Sequence, residues 1–345
     1  MPIDLAVPPF QTHLVDREMD VSAKNTMLVG DIGGTHARFA TVDVSASAPW
    51  RLEHRLDFEI EFATFEEALR NYVQRTGLDS VPPAATIAVA GPVTDGQTRL
   101  TNRGWLISEQ QLREFGCKAA LLINDFVALA FAVDTLGSEG LRTLGPKLKG
   151  LSGAPITILG AGTGFGVSCL ARYGDGEVPM ATEGGHIGFA PGDEQEMAVL
   201  RQLWQRFGRV SLERILSGPG LENLYQALEH ICGRQSASLS AAQVVATANS
   251  GDAGCAAALT MFCSIYGAVA GDFALAHGAR GGVYIAGGIA QKIEGFLVRS
   301  AFRARFEDKG RMSTYVSPIP TMLIVSGDAA LLGAAQAGVA LRAAP

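Results

Sequence analysis

The chain has no run of lysine or arginine longer than a pair, and its formal net charge is −6. It therefore offers no electrostatic track for a phosphate backbone, which excludes nucleic acid as a partner class. A single nucleotide is not excluded, because backbone N–H groups bind phosphate without basic side chains. Cysteine is sparse: Cys117, Cys169, Cys232, Cys255 and Cys263 are widely spread, and no two have the C-x-x-C spacing of a zinc or redox site. That usage fits a reducing cytoplasm. Uninterrupted apolar stretches, such as residues 126–133, fall short of the ~18 to 20 residues that cross a bilayer, so no membrane span is expected. Residues 1–26 lack the basic start, apolar centre and small-residue end of a signal peptide. They read as a mobile extension, with Met27 an alternative natural start. Also missing are G-x-x-x-x-G-K-[ST] and any G-x-G-x-x-G that opens a helix, so the P-loop and dinucleotide readings fail on spacing.

What is present suits a compact α/β protein: 48% hydrophobic residues, 18% charged residues and 41 glycines for tight turns. At 345 residues, two domains with a cleft between them are expected, since domains usually hold ~100 to 200 residues. Residues 27–31 form an apolar run closed by Ile32-Gly33-Gly34-Thr35, and residues 36–44 alternate as a second strand. Further strands are expected at 51–60, 86–90 and 119–123, with helices at 64–74, after Ser108, and from Phe126 onward. The strand, glycine turn, strand pattern returns at 156–159, Ala161-Gly162-Thr163-Gly164 and 167–172. This weak internal repeat predicts two related domains. Helices are expected before Gly208, at 221–230, 241–249 and 253–275, then a strand at 283–286 ending in Gly287-Gly288, and a final helix from Asp328. The small residues of 253–275 would pack as readily on a second subunit as on the chain's own core.

Two turns could cradle phosphate, Gly30-Asp31-Ile32-Gly33-Gly34-Thr35 and Gly160-Ala161-Gly162-Thr163-Gly164, because glycines permit positive φ and let N–H groups converge on an anion. The alternative is two plain hairpin turns. Asp31 could hold a hydrated Mg²⁺ or merely stabilise its turn. Asp125 follows Asn124 at a strand end, where open α/β sheets place ligands, and could either cap the next helix or accept a proton from a substrate hydroxyl. Glu183 and His186 share the E-x-x-H spacing, but Gly184 and Gly185 between them argue against a helical metal site. They read instead as loop side chains able to bond the hydroxyls of a polyol. Glu213, beside Arg214, reads by itself as a surface residue.

The chain resembles the bacterial glucokinases of the non-ROK type, within the hexokinase, actin and heat-shock chaperone ATPase superfamily. The resemblance lies in Leu28-Val29-Gly30-Asp31-Ile32-Gly33-Gly34-Thr35, Ile123-Asn124-Asp125-Phe126, Gly160-Ala161-Gly162-Thr163-Gly164, Glu183-Gly184-Gly185-His186, Arg214-Ile215-Leu216-Ser217-Gly218-Pro219-Gly220-Leu221, Ile285-Ala286-Gly287-Gly288-Ile289 and Phe306-Glu307-Asp308-Lys309-Gly310-Arg311. It implies a two-lobed actin-like ATPase (ribonuclease H-like) α/β fold, with a cleft between a smaller domain, 27–135 plus 326–345, and a larger one, 136–325. It implies phosphorylation of D-glucose at the 6-hydroxyl by ATP with Mg²⁺, Asp125 looking like the catalytic base and Asn124, Glu183, His186 and Glu213 like glucose ligands. It further implies phosphate contacts at the two glycine turns and an adenosine site near Gly287 and Gly288. His36 stands where the family usually carries Asn, and the Cys-rich zinc motif of the ROK kinases is absent. Rival expectations are a kinase for fructose or mannose, an actin-like ATPase without sugar transfer, and, remotely, a sugar-sensing repressor. A homodimer stays open.

Overall fold

The structure is a computed structural model that describes residues 25–34, 36–59, 61–100, 104–173 and 176–340. The expected extension lies outside the described residues up to position 24. Its last two residues already belong to the fold, because the Asn25 carbonyl accepts the Val44 N–H and Thr26 opens the first strand.

β1 (Thr26–Ile32) and β2 (His36–Asp43) form the expected hairpin, and β3 (Glu53–Glu59) continues it antiparallel. α1 (Phe65–Thr76) begins where the Thr64 hydroxyl accepts the Glu67 N–H and ends at Gly77, whose φ of 70° breaks the helix. β4 (Ala84–Val89) runs parallel to β1, and β5 (Gln97–Arg99) with β6 (Leu106–Ser108) makes a small hairpin. α2 (Glu109–Glu114) is opened by a capping box between Ser108 and Gln111. β7 (Ala119–Asn124) then lies parallel to β4, and α3 (Asp125–Ala132) follows without a loop.

The second half contains β8 (Leu141–Thr143), β9 (Ile156–Ala161), β10 (Phe165–Tyr173) and β11 (Gly176–Thr182). Next come α4 (Glu194–Phe207), α5 (Gly218–Ile231), α6 (Ala241–Asn249) and α7 (Ala253–His277). The chain closes with β12 (Gly282–Ala286), α8 (Gly288–Lys292), α9 (Glu294–Arg299), α10 (Phe302–Glu307), α11 (Ser313–Val316), β13 (Thr321–Ile324) and α12 (Ala329–Ala340).

Two large sheets result, ordered β3-β2-β1-β4-β7 and β11-β10-β9-β12-β13-β8. In chain order, β1, β2, β3, β4 and β7 take the same places as β9, β10, β11, β12 and β13, with β8 added antiparallel at one edge. The repeat read from two glycine turns is therefore a repeat of whole sheet topology, and the fold is the expected two-lobed α/β architecture.

The helices that end each half are exchanged. α3 leaves the first sheet yet packs on β9 and β10 of the second, whereas α12 leaves the second sheet and packs on β1 and β4 of the first. α3 and α12 pack on each other, so Val127, Ala128 and Phe131 share one apolar core with Ile158, Leu170, Ala329 and Ala337. The outer face of the first sheet is filled by Phe39, Phe65, Tyr72 and Trp105. On the second sheet, α7 is the central core helix and its Tyr266 hydroxyl donates to the Leu159 carbonyl at 3.1 Å. By length and composition alone α7 could cross a membrane, which uninterrupted apolar runs do not reveal because Ser, Thr and one Asp are interspersed in it. Its sides are covered by α5, α6 and α10 of the same chain, which is a core helix's environment.

Candidate active site

β1, β4 and β7 are parallel and in register, Ile32 beside Val89 beside Asn124, so Asp31 and Asn124-Asp125 emerge at one sheet edge. Which residue caps α3 is decided there. Asn124 is the N-cap, its Oδ1 accepting the Phe126 N–H at 2.9 Å, while its Nδ2 donates to the Gly91 carbonyl at 3.2 Å. Asp125 is the first residue inside the helix, and its Oδ1 shares the same Phe126 N–H at 3.0 Å. The helix is capped without it.

Burial pushes the Asp125 carboxyl up to about 7, the nearby Asp31 charge adds to the rise, and the bonds from backbone N–H groups oppose it. Asp31 is also raised, chiefly by burial, against the opposing charge of Arg38. Arg38 Nη1 lies 3.1 Å from Asp31 Oδ2, a partner that sequence reasoning missed because it sits on the next strand, directly opposite Asp31 in the hairpin register.

The two glycine turns differ from expectation in one respect. Gly30, Gly33, Gly162 and Gly164 all stay outside the left-handed region; Gly30 and Gly164 supply room instead of positive φ, whereas a Cβ would be accommodated at Gly33 and Gly162. A Cβ on Gly164 would meet Glu213 Oε2 at 2.5 Å, and one on Gly30 would meet Ile87 at 2.7 Å. The first turn is closed by the Gly33 N–H to the His36 carbonyl at 2.9 Å, the second by the Gly162 N–H to the Gly164 carbonyl at 2.8 Å. Ile32 is wholly buried and offers the turn only its backbone, Thr163 is exposed at the tip of the second turn, and Thr35 lies outside the described residues.

Three further elements converge on the second turn. The Gly218 N–H at the start of α5 donates to the Gly162 carbonyl at 2.8 Å, and a Cβ on Gly218 would stand 3.9 Å from Ala241 of α6 and Ile289 of α8. Gly287 has φ 91° and lies so close to the Ala161 carbonyl that no side chain fits, and Gly288, open to solvent, begins α8. The contact of Gly218 with the second turn was not expected, although Ser217 as N-cap and Pro219 in the first turn already marked a helix start there.

Glu183, His186 and Glu213 gather around Phe165. Glu213 is no surface residue: it is half-buried, and its Oε2 accepts the Phe165 N–H at 3.0 Å. Gly185 is buried against the Phe165 carbonyl with no space for a methyl group. This seats the Gly184–His186 3-10 turn and leaves the Glu183 and His186 side chains exposed, their Oε2 and Nε2 3.9 Å apart. An isolated antiparallel bridge at Gly188 and Ser211 ties the two loops together, through the Phe189 N–H to the Val210 carbonyl and the Leu212 N–H to the Ile187 carbonyl. Arg209 Nη2 donates to the His186 carbonyl at 2.8 Å. Such an arrangement presents two carboxylates and an imidazole able to read hydroxyls, with a separate half-buried carboxylate pair at the edge of the other sheet.

Comparison with known proteins identifies the family. A family model described as Glucokinase matches residues 28–340. A glucokinase from Caulobacter sp. (strain K31) is 47% identical over 311 residues, covering 90% of this chain and 94% of that protein. Among solved structures, a glucokinase from an Antarctic psychrotroph has a TM-score of 0.83 at 36% identity, over 90% of this chain and 98% of that one. A ROK family glucokinase from Streptomyces griseus, in complex with glucose and AMPPNP, shares the fold, with a TM-score of 0.60 at 18% identity and coverage of 90% and 98%.

Proposed function

This chain belongs to the glucokinase family and phosphorylates glucose, and on that premise we propose that Asp125 is the base that accepts the 6-hydroxyl proton as the hydroxyl attacks the γ-phosphate of ATP. The observation that carries this reading is a carboxylate at a strand end, released from capping by Asn124 and balanced by burial and Asp31 near neutral pH. A base poised there takes a proton and gives it up again without a large penalty either way.

Asn124, Glu183, His186 and Glu213 are assigned to glucose. Glu213, held at the Phe165 N–H, can also accept from a hydroxyl, while Glu183 and His186 project freely for the same purpose. The turn around Gly30, Ile32, Gly33, Gly34 and Thr35 and that around Gly162, Thr163 and Gly164 are assigned to phosphate, with Gly287 and Gly288 on the adenosine side. We assign 27–135 plus 326–345 to the smaller domain and 136–325 to the larger; the packing of α12 on the first sheet supports the C-terminal part, whereas α3, within 27–135, packs chiefly on the second sheet. A cytoplasmic setting is in keeping with five cysteines that form no disulfide.

Asp31 fits a magnesium-linked role. Among the described residues, no three His, Cys, Asp or Glu side chains gather as a direct metal cage. A cation would rest on one carboxylate, waters and phosphate oxygens, the manner of Mg²⁺. When bound, Mg²⁺ would offset charge on the transferring phosphate.

A coupled assay of ATP consumption against a hexose panel tests the substrate: glucose is expected to exceed fructose and mannose, and a better turnover of either would replace it. For Glu183→Gln and His186→Ala the expected outcome is a KM for glucose raised by ~10-fold or more with little change in KM for ATP, as for groups that only read hydroxyls. Steady-state kinetics with each substrate varied in turn checks this. Equal changes for both substrates would remove the two residues from the sugar site.

A further inference from the structure

Asp125 and the second glycine turn belong to different sheets, and a single aromatic ring joins them. Phe126 follows Asp125, and its ring rests on β9 and β10 at Gly160 and Gly166. Those two glycines are direct partners across the antiparallel ladder. A Cβ on Gly160 would meet the ring at 2.5 Å, and one on Gly166 would meet it closer still. Side chains of ladder partners point to the same face of a sheet, so the pair of glycines leaves a flat recess one ring wide. Neither glycine is needed for its φ, since both lie outside the left-handed region. Their shared property is the absence of a side chain beneath Phe126.

The same residue holds the carboxylate at its other end, through the backbone N–H that Asp125 Oδ1 and Asn124 Oδ1 both accept. The recess, in turn, lies two residues before Gly162 and two after Gly164. A displacement of the ring therefore carries the Asp125 carboxyl with it relative to the turn.

Resting on the reading of Asp125 as base and the second turn as a phosphate site, we propose that Phe126 is a positioning residue that sets the distance between proton acceptor and phosphate cradle. It touches neither substrate. Aromatic rings in such a seat are rigid and few in rotamers, and in-line transfer is sensitive to displacements of about 1 Å, which cost up to ~10²-fold in rate.

The test uses Phe126→Leu, Phe126→Ala, Gly166→Ala and the double variant Gly166→Ala with Phe126→Leu, assayed at least ~10 °C below each melting temperature, so that local unfolding is not what is read. The expected result is a kcat lowered by ~10-fold or more in Phe126→Ala and Gly166→Ala, with KM for glucose and ATP within ~2-fold, and a smaller loss in Phe126→Leu. In the double variant, the smaller side chain makes room for the methyl group, and kcat recovers at least ~3-fold over Gly166→Ala alone. Should Phe126→Ala not fold, Phe126→Leu and the double variant carry the test. Single variants whose kcat stays within ~2-fold of the parent, or a double variant no better than Gly166→Ala, would overturn the proposal. Asp125→Asn measured alongside separates the two readings. If it has lost turnover while the Phe126 variants have not, only the positioning role falls; if Asp125→Asn turns over normally, the base assignment itself falls.

Discussion

Replacing Asp125 by asparagine is expected to lower kcat by at least ~10²-fold, the scale on which a positioned base contributes, while glucose binding stays measurable. Asparagine keeps the size of the side chain and can still accept the Phe126 N–H that Asp125 shares with Asn124, so the helix cap survives. What it loses is the capacity to take a proton. The same variant should be more stable than the parent, with a pH dependence of defined sign. Asp125 stands at about 7 in the fold against an ordinary 3.8, so between those values the folded state binds more protons than the unfolded one, and the parent loses stability as pH rises through that window. Asparagine carries no such dependence. Its melting temperature should match the parent's near pH 4 and exceed it at pH 8. Thermal melts at the two pH values check this, and a variant less stable at pH 8 would mean that Asp125 contributes to the fold as a charged partner.

The second large effect concerns Gly333. α12 crosses α3 with Gly333 against the Ala128 carbonyl, so close that a methyl group would fall well inside van der Waals distance of backbone, with the Ala132 nitrogen only 3.1 Å away on the same side. Backbone atoms in the middle of a helix do not swing aside, and the two helices must separate. Overpacking of this kind costs ~1 to 3 kcal/mol and here should lie at the upper end. Gly333→Ala is expected to lower the melting temperature by roughly 3 to 10 °C and to reduce kcat as well, because α3 carries Asp125. Gly338→Ala on the same helix provides the contrast. Its methyl would meet the Met27 and Thr86 side chains, and Met adapts, so the loss should be smaller. Melting curves of the two variants measured together decide the matter: an equal or reversed order would remove the helix crossing as a constraint.

Much of the architecture could be read from the chain because its signals were local. Thr64, Ser108 and Gly77 mark helix ends by their own side-chain chemistry or lack of it, and the two strand, turn, strand units disclosed a repeat that proved to extend over five strands of each sheet. β11 escaped notice because an exposed edge strand containing Gly176 and Pro179 shows no buried alternation. The helices between residues 288 and 316 escaped as well, being too short for a helical period to be counted.

At the site, residue identity told more than role. Asp125 read as either cap or base, and only the backbone geometry, which gives the cap to Asn124, separates the two. The glycines of both turns suggested positive φ, whereas for Gly164, Gly30 and Gly160 the reason is the proximity of Glu213, Ile87 and Phe126, side chains far away in sequence. Glu213 looked like a surface residue because its partner is the backbone of Phe165, and backbone partners leave no trace in sequence. Arg38 could have been found from the hairpin register once the turn was fixed, since opposed residues of opposite charge pair across strands.

In the proposed mechanism one carboxylate, held near neutral pH by burial and by Asp31, receives the proton during transfer. The most direct measurement is the pH dependence of kcat/KM for glucose in the parent and in Asp31→Asn. The parent should lose activity as pH falls through about 7, where Asp125 becomes protonated. Asp31→Asn, slower overall, should show the same limb at lower pH, because the neighbouring negative charge that favours protonation is gone. A parent profile that stays flat from pH 8 to pH 5.5, or a limb that Asp31→Asn leaves in place, would contradict it.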